Sequence, residues 1–146
     1  PARIRLRAIP HFPTDASYRV RATFVPAAAE ETVMMRNVLG MELDVEVMGT
    51  LQFQLQGKQC TLTALDGGPD EFFLIFSDNT TGDTTYGGGR YLYCPRPDDK
   101  GQTIIDFNKA YNPPCAFTDF ATCLLPRAED NLPLALEAGE KSFGDH

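Results

Sequence analysis

The sequence predicts an all-β protein, built as a single antiparallel β-barrel or sandwich with long ordered loops and little helix. The first observation behind this prediction is a series of segments in which apolar and polar residues alternate, as in a half-buried strand. The second is their spacing of about 8–12 residues, with turn-forming residues between them. The third is the weakness of the helix signals, which are confined to Pro26–Met35 and to Asn131–Lys141, where Pro133 comes too early.

The first half of the chain predicts five strands. Each has apolar side chains on one face and polar side chains on the other, or a close approximation to that pattern. Gly49 and Gly57 stand at joints between these segments, where tight turns need a permissive backbone. In chain order the segments are SYRVRATFV (Ser17–Val25), ETVMMRNV (Glu31–Val38), MELDVEVMG (Met41–Gly49), TLQFQLQG (Thr50–Gly57) and QCTLTALD (Gln59–Asp66).

The second half predicts three more strands. EFFLIFSD (Glu71–Asp78) is a nearly continuous apolar run and is typical of a central strand that is buried on both faces. GRYLYC (Gly89–Cys94) and QTIIDFN (Gln102–Asn108) follow, and the composition of RPDDKG (Arg96–Gly101) between them indicates a turn. We see no repeat and no linker, so we expect one β-rich domain over residues 1–146. The chain begins at Pro1 without a methionine, and we expect a native N-terminal portion to precede it.

Composition and charge exclude some classes of function. The chain has 146 residues, 42% of them hydrophobic, which is ordinary for a globular domain. No uncharged apolar run approaches the roughly 18 residues of a membrane span. A net charge of -7 argues against nucleic-acid binding, because phosphate neutralisation needs clustered lysine and arginine. Arg3, Arg5 and Arg7 alternate with apolar residues, and we expect them to form the solvated face of a strand.

The second half carries an unusual string of motifs. These are FSDNTTGDTTYGGGRYL (Phe76–Leu92), DFNKAYNPPCAFTDFATCLLP (Asp106–Pro126) and NLPLALEAGEK (Asn131–Lys141). Together they resemble the domain of unknown function family numbered 1684, found mainly in bacteria and archaea, over about Gly49 to Lys141. The resemblance implies a β-rich fold and brings no established activity. The residues that fall on the family's pattern are Asp78, Thr80, Gly82, Thr85, Tyr86, Gly89, Arg90, Asp106, Asn108, Tyr111, Asn112, Pro113, Pro114, Cys115, Cys123 and Glu140.

The NPPCAF loop within the second motif favours a binding function. Asn112 precedes Pro113, so it is kept out of helical geometry, and Pro113 is restricted in turn by Pro114. A stiff loop lowers the entropy cost of fixing the side chains that it carries. We therefore predict a non-enzymatic β-domain that binds a small polar ligand at this loop. The predicted ligand-binding residues are Tyr86, Arg90, Asp106, Asn108, Tyr111, Asn112, Cys115 and Glu140.

Two alternative functions stay open. One is a structural or interaction module without a ligand. The other is a hydrolase that uses the Cys115 thiol or paired carboxylates among Asp78, Asp106 and Glu140. A nucleophilic cysteine needs a lowered pKa, usually from a nearby histidine, and the two histidines, His11 and His146, lie outside the motifs. We predict no cofactor.

The cysteines allow more than one state. Cys115 and Cys123 are eight residues apart in a chain with four cysteines, and a disulfide between them is one prediction. Two free, buried thiols are the other. A zinc site is not favoured, because this spacing differs from that of zinc motifs, so we predict no metal. We expect a cytoplasmic protein if the thiols are free and an extracytoplasmic one if they are bridged.

Overall fold

The computed structural model describes residues 9–118 and 121–143, and the chain there forms one antiparallel β-sheet of seven strands. The order in the sheet is β6-β5-β4-β3-β1-β7, and β2 pairs with β3 outside this path. Residues Arg3, Arg5, Arg7 and His146 lie outside the described residues. The strands are β1 (Arg19–Pro26), β2 (Thr32–Arg36), β3 (Glu42–Leu55), β4 (Lys58–Asp66), β5 (Glu71–Phe76), β6 (Arg90–Pro95) and β7 (Gln102–Asp106).

The sheet curls into a nearly closed barrel. The two ends of the strand order, β6 and β7, are consecutive in the chain, and the Thr103 hydroxyl of β7 donates a hydrogen bond of 2.6 Å to the Pro95 carbonyl of β6. This confirms the predicted all-β antiparallel architecture. Helix among the described residues is limited to four 3-10 turns of three residues each, Ala16–Tyr18, Phe107–Lys109, Pro114–Ala116 and Ala128–Asp130. None of these is long enough to cross a membrane.

Strand alternation produces two apolar clusters on opposite faces of the sheet. Leu51, Phe53 and Leu55 of β3 point into the barrel, as the sequence predicts, and each is at most 3% exposed. On β5, Phe72 and Leu74 join this inner core, whereas Ile75 belongs to a second cluster on the outer face. The prediction of a central strand buried on both faces is therefore confirmed. The outer cluster consists of Met35, Val47, Leu65, Ile75 and Tyr91, with Val33, Val45, Phe73, Tyr111, Cys123 and Leu124 packed against it.

The prediction of a turn at Gly49 is wrong. Strand β3 continues through this residue, and the two predicted segments on either side are one strand of 14 residues. The register between β3 and β4 shifts between Val47 and Gly49, which marks a β-bulge. A Cβ at Gly49 would lie 2.2 Å from the Val25 carbonyl oxygen, so only glycine fits this close approach. Gly57 does occupy a turn, with φ +77°, as predicted.

The bulge divides β3 between two partners. On one edge of β3, residues 49–53 pair with β1 and Glu42–Glu46 pair with β2. The helix signal at Pro26–Met35 is also overridden, because Thr32–Arg36 forms strand β2. Over Glu42–Glu46 the β2–β3 hairpin therefore pairs with neither β1 nor β4. One face of the hairpin, which carries Met35 and Val45, packs into the outer cluster.

Candidate functional site

The predicted residue Arg90 is enclosed by the protein itself. Its side chain is 1% exposed, and one terminal nitrogen donates to Asp78 Oδ2 at 3.0 Å and to the Leu136 carbonyl at 2.9 Å. The other donates to the carbonyls of Ala138 and Glu140. Burial lowers the pKa of the Arg90 guanidinium, and the Asp78 carboxylate opposes this effect. Arg90 therefore ties the C-terminal segment to strand β6.

Asp78 completes this arrangement from a turn. Its Oδ1 accepts hydrogen bonds from the backbone N–H and hydroxyl of Thr80 and from the Leu136 N–H, at 2.6–3.1 Å. Its side chain is fully buried. The Asp78 carboxylate thus accepts hydrogen bonds from the Arg90 guanidinium and from three further donors of the chain. These bonds hold the loop after β5 against the C-terminal segment.

Asp106 and Asn108 fasten the end of the barrel to the N-terminal part of the described chain. Asp106 caps the 3-10 turn that follows it by accepting from the Asn108 backbone and side-chain nitrogens. The Asn108 side chain then bonds both backbone groups of Asp15, donating to its carbonyl at 2.9 Å and accepting from its N–H at 3.0 Å. The Asn108 side-chain amide pairs with Asp15 as a backbone amide of a neighbouring strand would. It thereby joins two segments that are separated by 93 residues in the sequence.

Asn112 and Glu140 are brought together, with His11 close by. The Asn112 backbone N–H donates to Glu140 Oε1 at 2.7 Å, and its side-chain nitrogen donates to the Lys141 carbonyl. His11 Nε2 lies 4.0 Å from Glu140 Oε2. Asn112 is 3% exposed, and its Oδ1 is buried without a hydrogen-bond partner among the described residues. This orphaned acceptor calls for a further donor, and Arg90 Nε is a second buried atom of the predicted site without a hydrogen-bond partner among the described residues.

Cys115 and Cys123 lie side by side as free thiols. Each sulfur accepts from the other residue's backbone N–H, at 3.3 and 3.2 Å. Burial and the neighbouring Cys123 raise the pKa of the Cys115 thiol, which is the opposite of what a nucleophilic cysteine needs. The disulfide stays a prediction, because these positions place the two side chains within reach of each other. Among the described residues, no group of three or more potential metal ligands occurs.

Tyr86 and Tyr111 pack against the scaffold. A Cβ at Gly88 would lie 2.5 Å from the Tyr86 ring, so the ring covers this glycine. The Tyr111 ring stacks on Tyr93 with centroids 6.3 Å apart, and Tyr111 pairs with Tyr91 through two backbone hydrogen bonds of 2.9 Å. Burial raises the pKa of the Tyr111 hydroxyl. Both tyrosines fix the long loops against the barrel.

The structure thus divides the predicted residues among several contact sets. Arg90 contacts Asp78 and the Glu140 carbonyl, Asn112 contacts Glu140, and Asp106 contacts Asn108. None of the eight predicted residues lines any of four surface cavities of about 110–460 Å³ that the described residues form.

A cavity that the sequence did not predict lies beside the β2–β3 hairpin. Its volume is about 450 Å³, within the usual range of binding clefts. Val33–Arg36 of β2 form one wall and Leu125–Glu129 the other. Because side chains alternate along a strand, four consecutive residues line one cavity only where it runs along the strand's edge. We call this cavity the hairpin groove.

Large apolar side chains are exposed along the hairpin, and one of them, Met34, lines the hairpin groove. Leu39 is 64% exposed, and Met34 and Met41 are each 53% exposed. Val38 and Leu43, both 38% exposed, continue the same hairpin. The sequence signal was available in the methionine-rich segment Glu31–Gly49, but its alternation indicated two ordinary half-buried strands.

Comparisons with known proteins identify a family and solved structures that resemble the chain. A family model described as "Protein of unknown function (DUF1684)" matches residues 5–141, beginning well before the motifs that carry the sequence resemblance. No curated protein matches the chain. The chain is similar to the solution NMR structure of the uncharacterized protein from gene locus rrnAC0354 of Haloarcula marismortui. The two share 30% identity with a TM-score of 0.77, over 99% of this chain and 81% of that one.

Proposed function

The chain belongs to the DUF1684 family of proteins of unknown function, and we propose that it is an interaction module that docks another protein at the hairpin groove. The observation that carries the proposal is the set of large apolar side chains left in solvent on one hairpin. Met34, Leu39 and Met41 are each more than half exposed, whereas the side chains of the barrel core are buried. Exposed apolar patches of this kind mark interaction sites, and methionine adapts its shape to different partners.

The chemistry of the signature residues supports a scaffold role beside this surface. The Cys123 carbonyl accepts from the Val38 N–H, and the Leu125 N–H donates to the Arg36 carbonyl at 2.7 Å. The segment after the NPPCAF loop therefore fixes the hairpin and forms the far wall of the groove. On this view the motif residues give the docking surface its shape.

The test is selection from a random linear peptide library displayed on phage. We expect the wild-type chain to enrich peptides that bind with micromolar Kd, and the Met34→Lys variant to bind them at least tenfold more weakly. Met34 is 53% exposed, so this substitution leaves the core intact. Val25→Lys is the matched control, because Val25 is 42% exposed and does not line the groove. No enrichment, or equal binding by the Met34→Lys variant, would reject the proposed function.

A small polar ligand at the NPPCAF loop is the second candidate. The buried, unpartnered Oδ1 of Asn112 favours it, since a ligand donor would satisfy this acceptor. The test is a thermal-shift screen of polar metabolites with wild type and Asn112→Asp. A compound that raises the Tm of wild type alone supports the candidate, and a screen in which no compound raises it removes the candidate.

A further inference from the structure

We propose that the partner adds an extended strand, rich in basic and apolar residues, to the free edge of strand β2. The inference rests on the proposed function and specifies the partner's conformation and charge. Two observations carry it, the direction of the backbone groups of β2 and the charges along the hairpin.

The backbone groups of β2 alternate between its two edges. The Asn37 N–H donates to the Met41 carbonyl and the Val47 N–H to the Glu31 carbonyl, so odd-numbered residues bond to β3. In an antiparallel pair the intervening residues point away from that partner. Thr32, Met34 and Arg36 therefore direct their N–H and C=O groups toward the hairpin groove.

Only part of this edge is occupied. The Leu125 N–H donates to the Arg36 carbonyl, and Asn37 pairs with Leu124, so this short segment begins a further antiparallel strand. The pairing extends no further than Leu125, since Arg127, the next residue whose backbone groups would face β2, already begins the 3-10 turn Ala128–Asp130 as its N-cap. No backbone partner from the described residues meets the edge-facing groups of Thr32 and Met34. A segment of about three to five residues in the groove would complete the ladder, as in other cases of β-strand addition.

The charges of the hairpin select the partner. Residues 30–46 contain five acidic residues and one arginine, a net charge of -4. The arginine, Arg36, is already paired with Glu42 at 2.9 Å. Asp44 and Glu46 lie directly across from Met34 and Thr32 in the β2–β3 register, both are exposed, and neither forms an ion pair within the described chain. A strand added to the free edge of β2 would lie about 10 Å from β3, so its lysine or arginine side chains could reach across β2 toward these carboxylates on the same face of the sheet and be attracted by them.

The test uses synthetic heptapeptides and fluorescence anisotropy. The probes alternate lysine with valine, or glutamate with valine, and we expect the lysine peptide to bind at least tenfold tighter. Two more probes carry N-methyl groups on either the lysines or the valines. In an added strand only one of these sets faces β2, so one methylated peptide should lose at least tenfold in affinity and the other less than threefold. Equal affinities for the two methylated peptides would overturn strand addition.

Protein variants test the charge requirement. Asp44→Asn with Glu46→Gln should weaken the lysine peptide by about three- to tenfold, since exposed ion pairs are individually modest. The double control Asp83→Asn with Glu137→Gln removes two exposed carboxylates outside the hairpin and should change nothing. Unchanged binding in the hairpin variant would overturn the basic partner.

The outcomes separate this inference from the proposed function. Phage-selected peptides that need Met34 but lack basic residues or tolerate both methylation patterns would leave the docking surface standing and reject the added basic strand. The other possible occupant of this edge is a second copy of the chain. Sedimentation velocity of wild type and Met34→Lys tests for it. A wild-type dimer that this substitution dissociates would assign the edge to a second copy of the chain and overturn the peptide partner.

Discussion

Replacing Arg90 by methionine should destabilise the protein severely, because the arginine holds a buried carboxylate and the C-terminal segment at once. Methionine keeps most of the side-chain volume but removes the ion pair with Asp78 and the hydrogen bonds to the carbonyls of Leu136, Ala138 and Glu140. Leaving one partner of a buried ion pair uncompensated costs about 3–5 kcal/mol. Against a typical total stability of about 5–15 kcal/mol, that is a large fraction.

The assay is urea denaturation followed by far-UV circular dichroism, since the chain has no tryptophan. We expect the free energy of unfolding of Arg90→Met to fall by about 3–5 kcal/mol, and its Tm by about 10–20 °C for a chain of this length. Arg36→Met is the control, because the ion pair of Arg36 with Glu42 joins side chains that are 66% and 48% exposed. Such a surface pair contributes about 1 kcal/mol or less.

A double variant identifies the source of the loss. In Arg90→Met the Asp78 carboxylate is left buried and unpaired, and Asp78→Asn removes that charge. The double variant should therefore be more stable than the sum of the two single losses predicts. Additive losses, or an Arg90→Met variant as stable as Arg36→Met, would refute the view that Arg90 is a structural tie. Arg90 would then return to the candidate ligand residues.

Two further predictions concern Gly89 and Asp130. Gly89 has φ +86°, and a Cβ there would lie 2.6 Å from Pro126 Cγ, so Gly89→Ala should lose about 2–4 kcal/mol in urea denaturation. Gly82→Ala, at φ +82° with open space around it, should lose about 1 kcal/mol, and equal losses would contradict the steric argument. Burial raises the pKa of Asp130 above its ordinary 3.8, although the Thr63 N–H and Arg127 lower it. The stability of wild type relative to Asp130→Asn should therefore be greatest below pH 3.8 and decline as pH rises through the folded-state pKa of Asp130. A pH series of urea denaturations measures this difference in unfolding free energy, and a difference that rises with pH would contradict the prediction.

The strands were predictable because their signal is local. Alternation of apolar and polar residues fixes which side of a strand faces the core, and Leu51, Phe53 and Leu55 obey it. The bulge at Gly49 was not predictable, because a glycine at a turn and a glycine at a bulge satisfy the same local requirement for a small residue. Only the approach of Val25 from another strand distinguishes the two.

The site was predictable in its residues but not in its partners. The motif sequence marks Asn108 and Asn112 as unusual, yet the groups that they bind lie 93 and 28 residues away, at Asp15 and Glu140. Alternation also placed Met41 and Leu43 on a core-facing strand, whereas the structure leaves them 53% and 38% exposed. Periodicity says that a face is apolar, and what covers that face is decided by tertiary structure.

The tie between Arg90 and the C-terminal segment has a consequence for the order in which the protein is made and folded. The carbonyls that receive Arg90 follow it by 46 to 50 residues, so strand β6 emerges from the ribosome well before the groups that satisfy its guanidinium. Contacts between residues so far apart in sequence form slowly. A nascent chain must therefore keep Arg90 hydrated until Leu136 to Glu140 have been synthesised, so the tie between Arg90 and this segment forms only after strand β6 has been made.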